Sequence, residues 1–275
     1  MARSSRTRRR ILSTFLLMLS TASAQAETIQ LYAAGSLRAA LTEVARAFEA
    51  DSGAQHKVET TFGASGLLRE RIESGAAAHV FASADTGHPK RLAEQGLAAT
   101  PVRVFARNEL CALVRNGLTV SSDTLLDVLL DPKVRLGTST PKADPSGDYA
   151  FALFAKAEAL KAGAKAILEG KALQLTGSPT SPKAPEGRSP YAWVVTSDQA
   201  DIFLTYCTNA LQAKGEAPAL SIVAIGKTLN VGADYGLIAV RNGPAAAKDL
   251  VKYMLAEKAQ AILLRHGFGP GDPAR

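Results

Sequence analysis

Two short segments constrain the fold of this chain more than any others. They are Ala33-Ala34-Gly35-Ser36-Leu37 and Phe62-Gly63-Ala64-Ser65-Gly66, and each lies between an extended apolar run and a stretch with helical spacing. A strand that leads through a small-residue turn into a helix, twice in succession, is typical of α/β proteins. A helix N-terminus also offers unpaired N–H groups and the positive end of the helix dipole. Each turn is therefore a candidate anion site, although neither matches a nucleotide-binding loop.

Strand-like and helix-like segments continue to alternate along the rest of the chain. Two long extended stretches, at residues 102–114 and 221–240, flank a block with its own strand–helix pattern. The first stretch has a polar break at Arg107-Asn108-Glu109. This arrangement predicts two lobes. We assign residues 27–107 and 229–275 to the first lobe, and residues 108–228 to a second lobe inserted into it.

The first 26 residues have the features of a signal peptide. Five arginines precede an apolar run at residues 11–19, and Ala24-Gln25-Ala26 fits a small-x-small cleavage site. The apolar run is too short for a permanent membrane anchor. The pattern Thr7-Arg8-Arg9-Arg10-Ile11-Leu12 leaves both the general and the twin-arginine export routes open. Either route predicts a periplasmic protein with no membrane insertion after cleavage.

The net charge of +7 belongs mostly to this leader. Without its five arginines the chain has 27 basic against 25 acidic residues, which argues against a nucleic-acid or anionic-membrane partner. The two cysteines, Cys111 and Cys207, are compatible either with a disulfide bond in an oxidising compartment or with two buried free thiols. No cluster of His, Cys and Asp has structural-zinc spacing.

Residues 176–190 are rich in Pro, Ser and Gly and predict neither a helix nor a central strand. Two interpretations remain open for this segment. It forms a long surface loop, or it forms a loop that helps to close a binding cleft.

The two serine turns, the export signal and the inserted block together resemble the periplasmic molybdate-binding proteins of ABC importers. Further similarity lies in short segments near both ends of the chain: Arg71-Ile72-Glu73-Ser74-Gly75, Val80-Phe81-Ala82-Ser83-Ala84-Asp85, Ala259-Gln260-Ala261-Ile262-Leu263 and His266-Gly267-Phe268. The resemblance implies a type II-like, two-lobed α/β binding protein. Each lobe would be a mixed sheet flanked by helices, with the ligand in the cleft between them.

The same resemblance implies a receptor without enzymatic activity or cofactor. It would hold molybdate or tungstate by hydroxyl and backbone N–H donors and deliver it, as a monomer, to an inner-membrane ABC permease. By motif match the donors are the hydroxyls of Ser36, Ser65 and Tyr206 and the amide of Ser146. The remaining backbone donor falls near residues 187–189, and we assign it to Arg188.

Two aspartates flank Ser146 in Asp144-Pro145-Ser146-Gly147-Asp148. We predict that Asp144 caps a helix and that Asp148 is an exposed charge in its first turn. A site made only of donors suits a fully ionised dianion, whereas a protonated phosphate needs an acceptor for its O–H group. An aspartate that faced the ligand would therefore change the expected substrate.

Other functions fit parts of the pattern. A receptor for sulfate, phosphate or another small anion would use the same turns. A ferric receptor would need Tyr149 and Tyr206 as phenolates, but adjacent paired tyrosines are missing. A serine hydrolase is the remotest alternative, because the turn at Ser65 is not a G-x-S-x-G elbow and no histidine spacing marks a base.

Overall fold

The computed structural model describes Met1 and residues 26–272. The predicted signal peptide therefore lies outside the described residues except for its two ends. Among the described helices, none is both long and apolar enough to span a bilayer.

The described chain alternates between strands and helices from end to end. Its strands are β1 (Glu27–Ala34), β2 (His56–Gly63), β3 (Val80–Ser83), β4 (Arg103–Val114), β5 (Leu136–Ser139), β6 (Leu173–Thr176), β7 (Ile202–Tyr206), β8 (Ser221–Ala224), β9 (Gly232–Ala239) and β10 (Gly269–Pro270). Its α-helices are α1 (Arg38–Asp51), α2 (Ser65–Glu73), α3 (Gly87–Glu94), α4 (Leu125–Leu130), α5 (Pro145–Leu160), α6 (Ala164–Lys171), α7 (Pro190–Thr196), α8 (Cys207–Glu216), α9 (Ala245–Leu255) and α10 (Glu257–Arg265). A single 3-10 turn, Gly35–Leu37, precedes α1.

The strands follow one another in the order β2-β1-β3-β9-β4-β7-β5-β6, with β8 and β10 also paired to β4. Strands β2, β1 and β3 run parallel, and β9 joins β3 antiparallel. On the other side, β6, β5 and β7 run parallel, and β7 joins β4 antiparallel. The predicted α/β fold with a mixed sheet in each lobe is confirmed.

Strand β4 belongs to both sheets. Its residues from Arg103 to Glu109 pair with β9, whereas those from Leu110 to Val114 pair with β7 and β8. The polar break seen in the sequence is thus a change of pairing partner within an unbroken strand. We call the sheet that contains β1 the first lobe and the sheet that contains β5 the second lobe. The division of the chain at 107/108 and 228/229 stays a prediction.

The apolar face predicted for the first helix is buried. Leu41, Val44 and Phe48 are at most 6% exposed, and they repeat at the spacing of one helix face. Burial of side chains of this size contributes roughly 1.5–3 kcal/mol each. The C-terminal helices return to this lobe, where Arg265 forms an ion pair with Glu43 on α1 at 2.6 Å.

Cys111 and Cys207 form a disulfide bond across 96 residues of sequence. Of the two alternatives that the sequence leaves open, the structure therefore contains the bridge and not two free thiols. The bond joins the second-lobe half of β4 to the first residue of α8. It fastens the end of β7, which immediately precedes α8, to the strand that both lobes share.

Replacing both cysteines by alanine is expected to lower the free energy of unfolding by about 2–5 kcal/mol, because the bridge restricts the unfolded chain. Urea unfolding, followed by circular dichroism with and without dithiothreitol, measures this difference. Reductant should lower the midpoint of the wild type and leave that of the variant unchanged. Equal midpoints for oxidised wild type and variant would contradict a stabilising bridge.

Candidate functional site

A cavity of about 690 Å³ lies between the two lobes. The turns that follow β1, β2 and β3 form its first-lobe wall, and the residues around the start of α5, the end of β7 and the loop after β6 form the opposite wall. Its polar side chains are Ser36, Ser65, Asp144, Thr176, Ser178, Ser181, Lys183, Tyr191 and Tyr206. The carboxyl ends of parallel strands thus meet at one cleft, where α/β sheets commonly bind ligands.

Ser65 and Tyr206 meet at the backbone of Ala84. The Ser65 hydroxyl oxygen accepts a hydrogen bond from the Ala84 amide at 3.1 Å. The Tyr206 hydroxyl donates to the Ala84 carbonyl at 3.2 Å from the other lobe. Both side chains are at most 1% exposed. Because the Ser65 oxygen acts as acceptor toward the amide, its hydroxyl proton is available to a ligand.

Ser36 is held by a separate hydrogen-bond network. Its hydroxyl lies 3.0 Å from the hydroxyl of Tyr235. The Tyr235 hydroxyl oxygen also accepts a hydrogen bond from the side-chain Nδ2 of Asn108 at 3.3 Å. Asn108 in turn donates to the hydroxyl of Thr208 at 2.8 Å. Tyr235 and Asn108 thus position a predicted ligand residue. No sequence pattern marked them, because they lie on β9 and β4, far from Ser36 along the chain.

The tyrosines of this region are neutral hydroxyl donors. Burial raises the pKa of Tyr206 and of Tyr235 well above the usual value, and it also raises the pKa of Tyr191. Loss of the phenol proton is thereby disfavoured in the ligand-free protein. Within residues 26–272, no group of three or more His, Cys, Asp or Glu side chains is arranged to hold a metal ion.

Asp144 caps α5, as predicted, and its carboxylate also lines the cavity. One carboxylate oxygen accepts a hydrogen bond from the Ser146 amide at 3.1 Å. Gly177 closes over this side chain, and a Cβ added there would come within 2.5 Å of the Asp144 Cβ. Burial raises the pKa of the Asp144 carboxyl to about 6. A negative group therefore lies in a site that the sequence predicted to contain only donors.

Ser146 itself is fully buried behind this carboxylate. Its amide, the predicted ligand donor, is engaged by Asp144, and its hydroxyl is buried without a hydrogen-bond partner. Asp148 is exposed in the first turn of α5, as predicted, and accepts a hydrogen bond from the Lys142 amide at 3.0 Å. Of the predicted site residues, Ser36, Ser65 and Tyr206 line the cavity, and Ser146 does not.

Arg188 also lies outside the cavity lining. Its amide donates to the carbonyl of Pro185 at 3.1 Å, and its guanidinium forms an ion pair with Glu216. The preceding Pro-rich segment does reach the site, since residues from Gly177 to Ala184 form part of one wall. Most of the segment is exposed, as the surface-loop interpretation states, and part of it also lines the cavity. Closure of the cleft by this segment stays a prediction.

Direct contacts hold the two lobes together around the cavity. Besides the bond from Tyr206 to Ala84, the amide of Gly66 at the start of α2 donates to the carbonyl of Ala143 at 2.9 Å. A Cβ at position 66 would lie 2.3 Å from the Lys142 carbonyl oxygen. Only glycine permits this approach, so the residue after Ser65 sets how closely the lobes meet.

Comparison with known protein sequences identifies a matching family and several relatives. The sequence pattern of the family described as bacterial extracellular solute-binding protein matches residues 29–269. An uncharacterized protein of Pasteurella multocida is 36% identical over 246 residues, which cover 89% of this chain and 99% of that protein. The molybdate-binding protein ModA of Azotobacter vinelandii is 29% identical over 152 residues, 54% of this chain and 59% of that protein.

Solved structures agree on the fold. The periplasmic molybdate-binding protein of Azotobacter vinelandii has a TM-score of 0.68 at 21% identity, covering 87% of this chain and 98% of that one. The sulfate-binding protein SubI of Mycobacterium tuberculosis has a TM-score of 0.72 at 20% identity, covering 90% and 88%. At these identities the likeness concerns the architecture alone.

Asp144→Asn is expected to stabilise the ligand-free protein near neutral pH. A carboxyl whose pKa rises on folding, here to about 6 from an ordinary 3.8, leaves stability unchanged below the lower value, where it is protonated in both states, and lowers stability fully above the higher one. Asparagine keeps the helix cap without the charge. The variant should gain up to about 3 kcal/mol over wild type at pH 7, and the gain should vanish toward pH 4.

Thermal unfolding from pH 4 to pH 8 measures this difference. Asp201→Asn is the matched variant for which the opposite change in stability is expected, because hydrogen bonding from Arg135 lowers the pKa of the Asp201 carboxyl. That variant should lose stability by a nearly constant amount between pH 8 and pH 4, because a carboxyl with a lowered pKa loses its contribution only below its ordinary value of 3.8. A stability difference between Asp144→Asn and wild type that stays constant with pH would contradict a buried, charged Asp144.

Proposed function

The chain belongs to the family of bacterial extracellular solute-binding proteins, and we propose that it captures a tetrahedral oxyanion, with molybdate or tungstate as the first candidates and sulfate or phosphate as the alternatives. In this proposal the protein acts in the periplasm after removal of residues 1–26. It delivers the anion, as a monomer, to an inner-membrane ABC permease and performs no chemistry on it. The name of the Azotobacter vinelandii relative supports molybdate as the first ligand to test.

The observation that carries this proposal is the convergence of three buried, neutral hydroxyl groups on one interlobe cavity. Ser36 and Ser65 approach from the first lobe, and Tyr206 approaches from the second. Ser65 is the first residue of α2, whose N-terminus has no side-chain cap. Hydroxyl groups and helix N–H groups bind an anion by directed hydrogen bonds without a counter-charge.

The energetics of such a site are sufficient for a transport receptor. A hydrogen bond to a charged group contributes roughly 1.5–3 kcal/mol net. A site that supplies five to seven of them, less the costs of ordering and desolvation, reaches about −8 to −12 kcal/mol, or a Kd from micromolar to nanomolar. Because the cavity-lining groups come from both lobes, an anion that contacts both walls favours the arrangement in which the lobes touch.

The hydrolase alternative has less support. The Ser65 hydroxyl contacts the Ala84 amide, and in the part of the chain that the structure describes no histidine is hydrogen-bonded to it. A serine without a neighbouring base is not activated as a nucleophile.

Ser65→Ala is expected to weaken binding of the oxyanion by about 1–3 kcal/mol, because one hydroxyl donor to the anion is lost. Thermal shift with molybdate, tungstate, sulfate and phosphate identifies the ligands, and titration calorimetry then measures Kd. The exposed Ser197 bonds to the Trp193 carbonyl and to the Gln199 side chain and does not line the cavity, so the control Ser197→Ala should leave the affinity unchanged. No shift with any of the four anions would refute the proposed function.

Gly66→Ala is expected to weaken binding at least tenfold without touching any donor, because the added Cβ would collide with the Lys142 carbonyl and hold the lobes apart. Small-angle scattering with saturating molybdate should show a larger radius of gyration than for wild type. Gly215→Ala is the matched control, since a Cβ at Gly215 would meet nothing within 4 Å. Wild-type affinity in Gly66→Ala would argue against closure at this contact.

A further inference from the structure

We infer that anion capture in this cleft takes up one proton, shared between Asp144 and the bound anion, so that at neutral pH the site prefers an oxyanion bearing a hydroxyl group. This inference rests on the proposed function and specifies the chemistry of its ligand. It concerns one side chain, the carboxylate of Asp144, which lines the same cavity as Ser36, Ser65 and Tyr206.

The position of Asp144 is determined by its neighbours on three sides. One carboxylate oxygen accepts from the Ser146 amide at 3.1 Å. The Ser139 hydroxyl also bonds to the carboxylate. Gly177 covers it so closely that an added Cβ would lie 3.1 Å from Oδ2. The side chain is therefore held in one place at the cavity wall, and an anion bound at that wall would contact it.

The carboxylate also occupies a donor that an anion would otherwise use. The backbone amide of Ser146 lies in the first turn of helix α5. Its N–H group already donates a hydrogen bond to the Asp144 carboxylate. A carboxylate is an acceptor only. Toward the cavity it therefore presents lone pairs and negative charge, and no hydrogen that an anion oxygen could accept.

The groups facing Asp144 do not neutralise it. Asp148, on the same helix, adds negative charge. The Asp144 charge also acts on three nearby tyrosines, which are Tyr191 on α7, Tyr206 on β7 and Tyr235 on β9. Burial raises the pKa of each phenol, so all three stay neutral. Among the described residues that line the cavity, Lys183 is the one basic side chain, and it is exposed on the loop.

A deprotonated Asp144 and a dianion bound beside it would therefore repel each other. One proton between a carboxylate oxygen and an anion oxygen replaces this repulsion with a strong O–H···O hydrogen bond. Hydrogen phosphate brings that proton with it. Molybdate and sulfate carry none at neutral pH, so Asp144 must take one from solvent when they bind.

Burial raises the pKa of Asp144 to about 6, which is consistent with a carboxyl that accepts a proton near physiological pH. Above this value, uptake of one proton makes the affinity for a dianion fall tenfold for each unit of pH. The affinity for hydrogen phosphate should not fall in this way between pH 7 and pH 8.5, because this anion supplies the shared proton itself.

The test is titration calorimetry of the purified protein with molybdate, sulfate and inorganic phosphate from pH 7.0 to 8.5. Repeating each titration in two buffers of different ionisation enthalpy counts the protons taken up. For wild type we expect one proton with molybdate or sulfate and none with phosphate at pH 8. The Kd for the two dianions should rise about tenfold per pH unit.

In Asp144→Asn the proton uptake should disappear and the dianion affinity should become flat with pH. At pH 8 this variant should bind molybdate or sulfate at least tenfold tighter than wild type, and phosphate at least tenfold weaker. Asp148→Asn changes a carboxylate four residues away that does not line the cavity, and it should retain the one-proton uptake.

Three results separate failure of the inference from failure of the proposed function. If wild type binds molybdate or sulfate without proton uptake and with a flat pH profile, the inference is wrong and the oxyanion receptor stands. Phosphate binding no tighter than sulfate at pH 8 would overturn the preference for a hydroxyl-bearing anion. If no oxyanion binds to wild type, the proposed function fails and the inference fails with it.

Discussion

The candidate site depends on one strand, β4, pairing with two different sheets. Its first seven residues complete the hydrogen bonds of β9, and its last five complete those of β7 and β8. Because buried backbone groups must be paired, this change of partner holds the two sheets side by side. Asn108, just before the change, donates to both Tyr235 and Thr208. The join between the lobes and the support of Ser36 are therefore parts of one network.

The end of β7 is constrained in a second way. Tyr206 is the last residue of that strand, and Cys207 directly after it is bonded to Cys111 on β4. In the proposed site, a Tyr206 hydroxyl held in place before the ligand arrives would lose little conformational freedom on binding. The same bridge that restricts the unfolded chain thus also contributes to a preorganised site.

Asp144 gives the cleft its distinctive electrostatics. Neutral hydroxyls and helix N–H groups accept almost any small anion of suitable shape, so a single negative group among them has a large influence on which anion is preferred. The buried carboxyl is expected to lower the stability of the free protein at neutral pH, since burial raises its pKa to about 6. Perturbed groups of this kind cluster at functional sites, where their cost to stability is balanced by their effect on the ligand.

Local patterns in the sequence determined the elements of this protein. The spacing of Leu41, Val44 and Phe48, the serine turns and the cap at Asp144 each depend on residues within a few positions of one another, and all were predictable. The tertiary structure alone decided which of these groups meet. Ser36 pairs with Tyr235 across 199 residues, and Gly177 holds Asp144 against the cavity. Such contacts depend on the pairing order of the strands and on packing between distant segments, which propensity and periodicity do not encode.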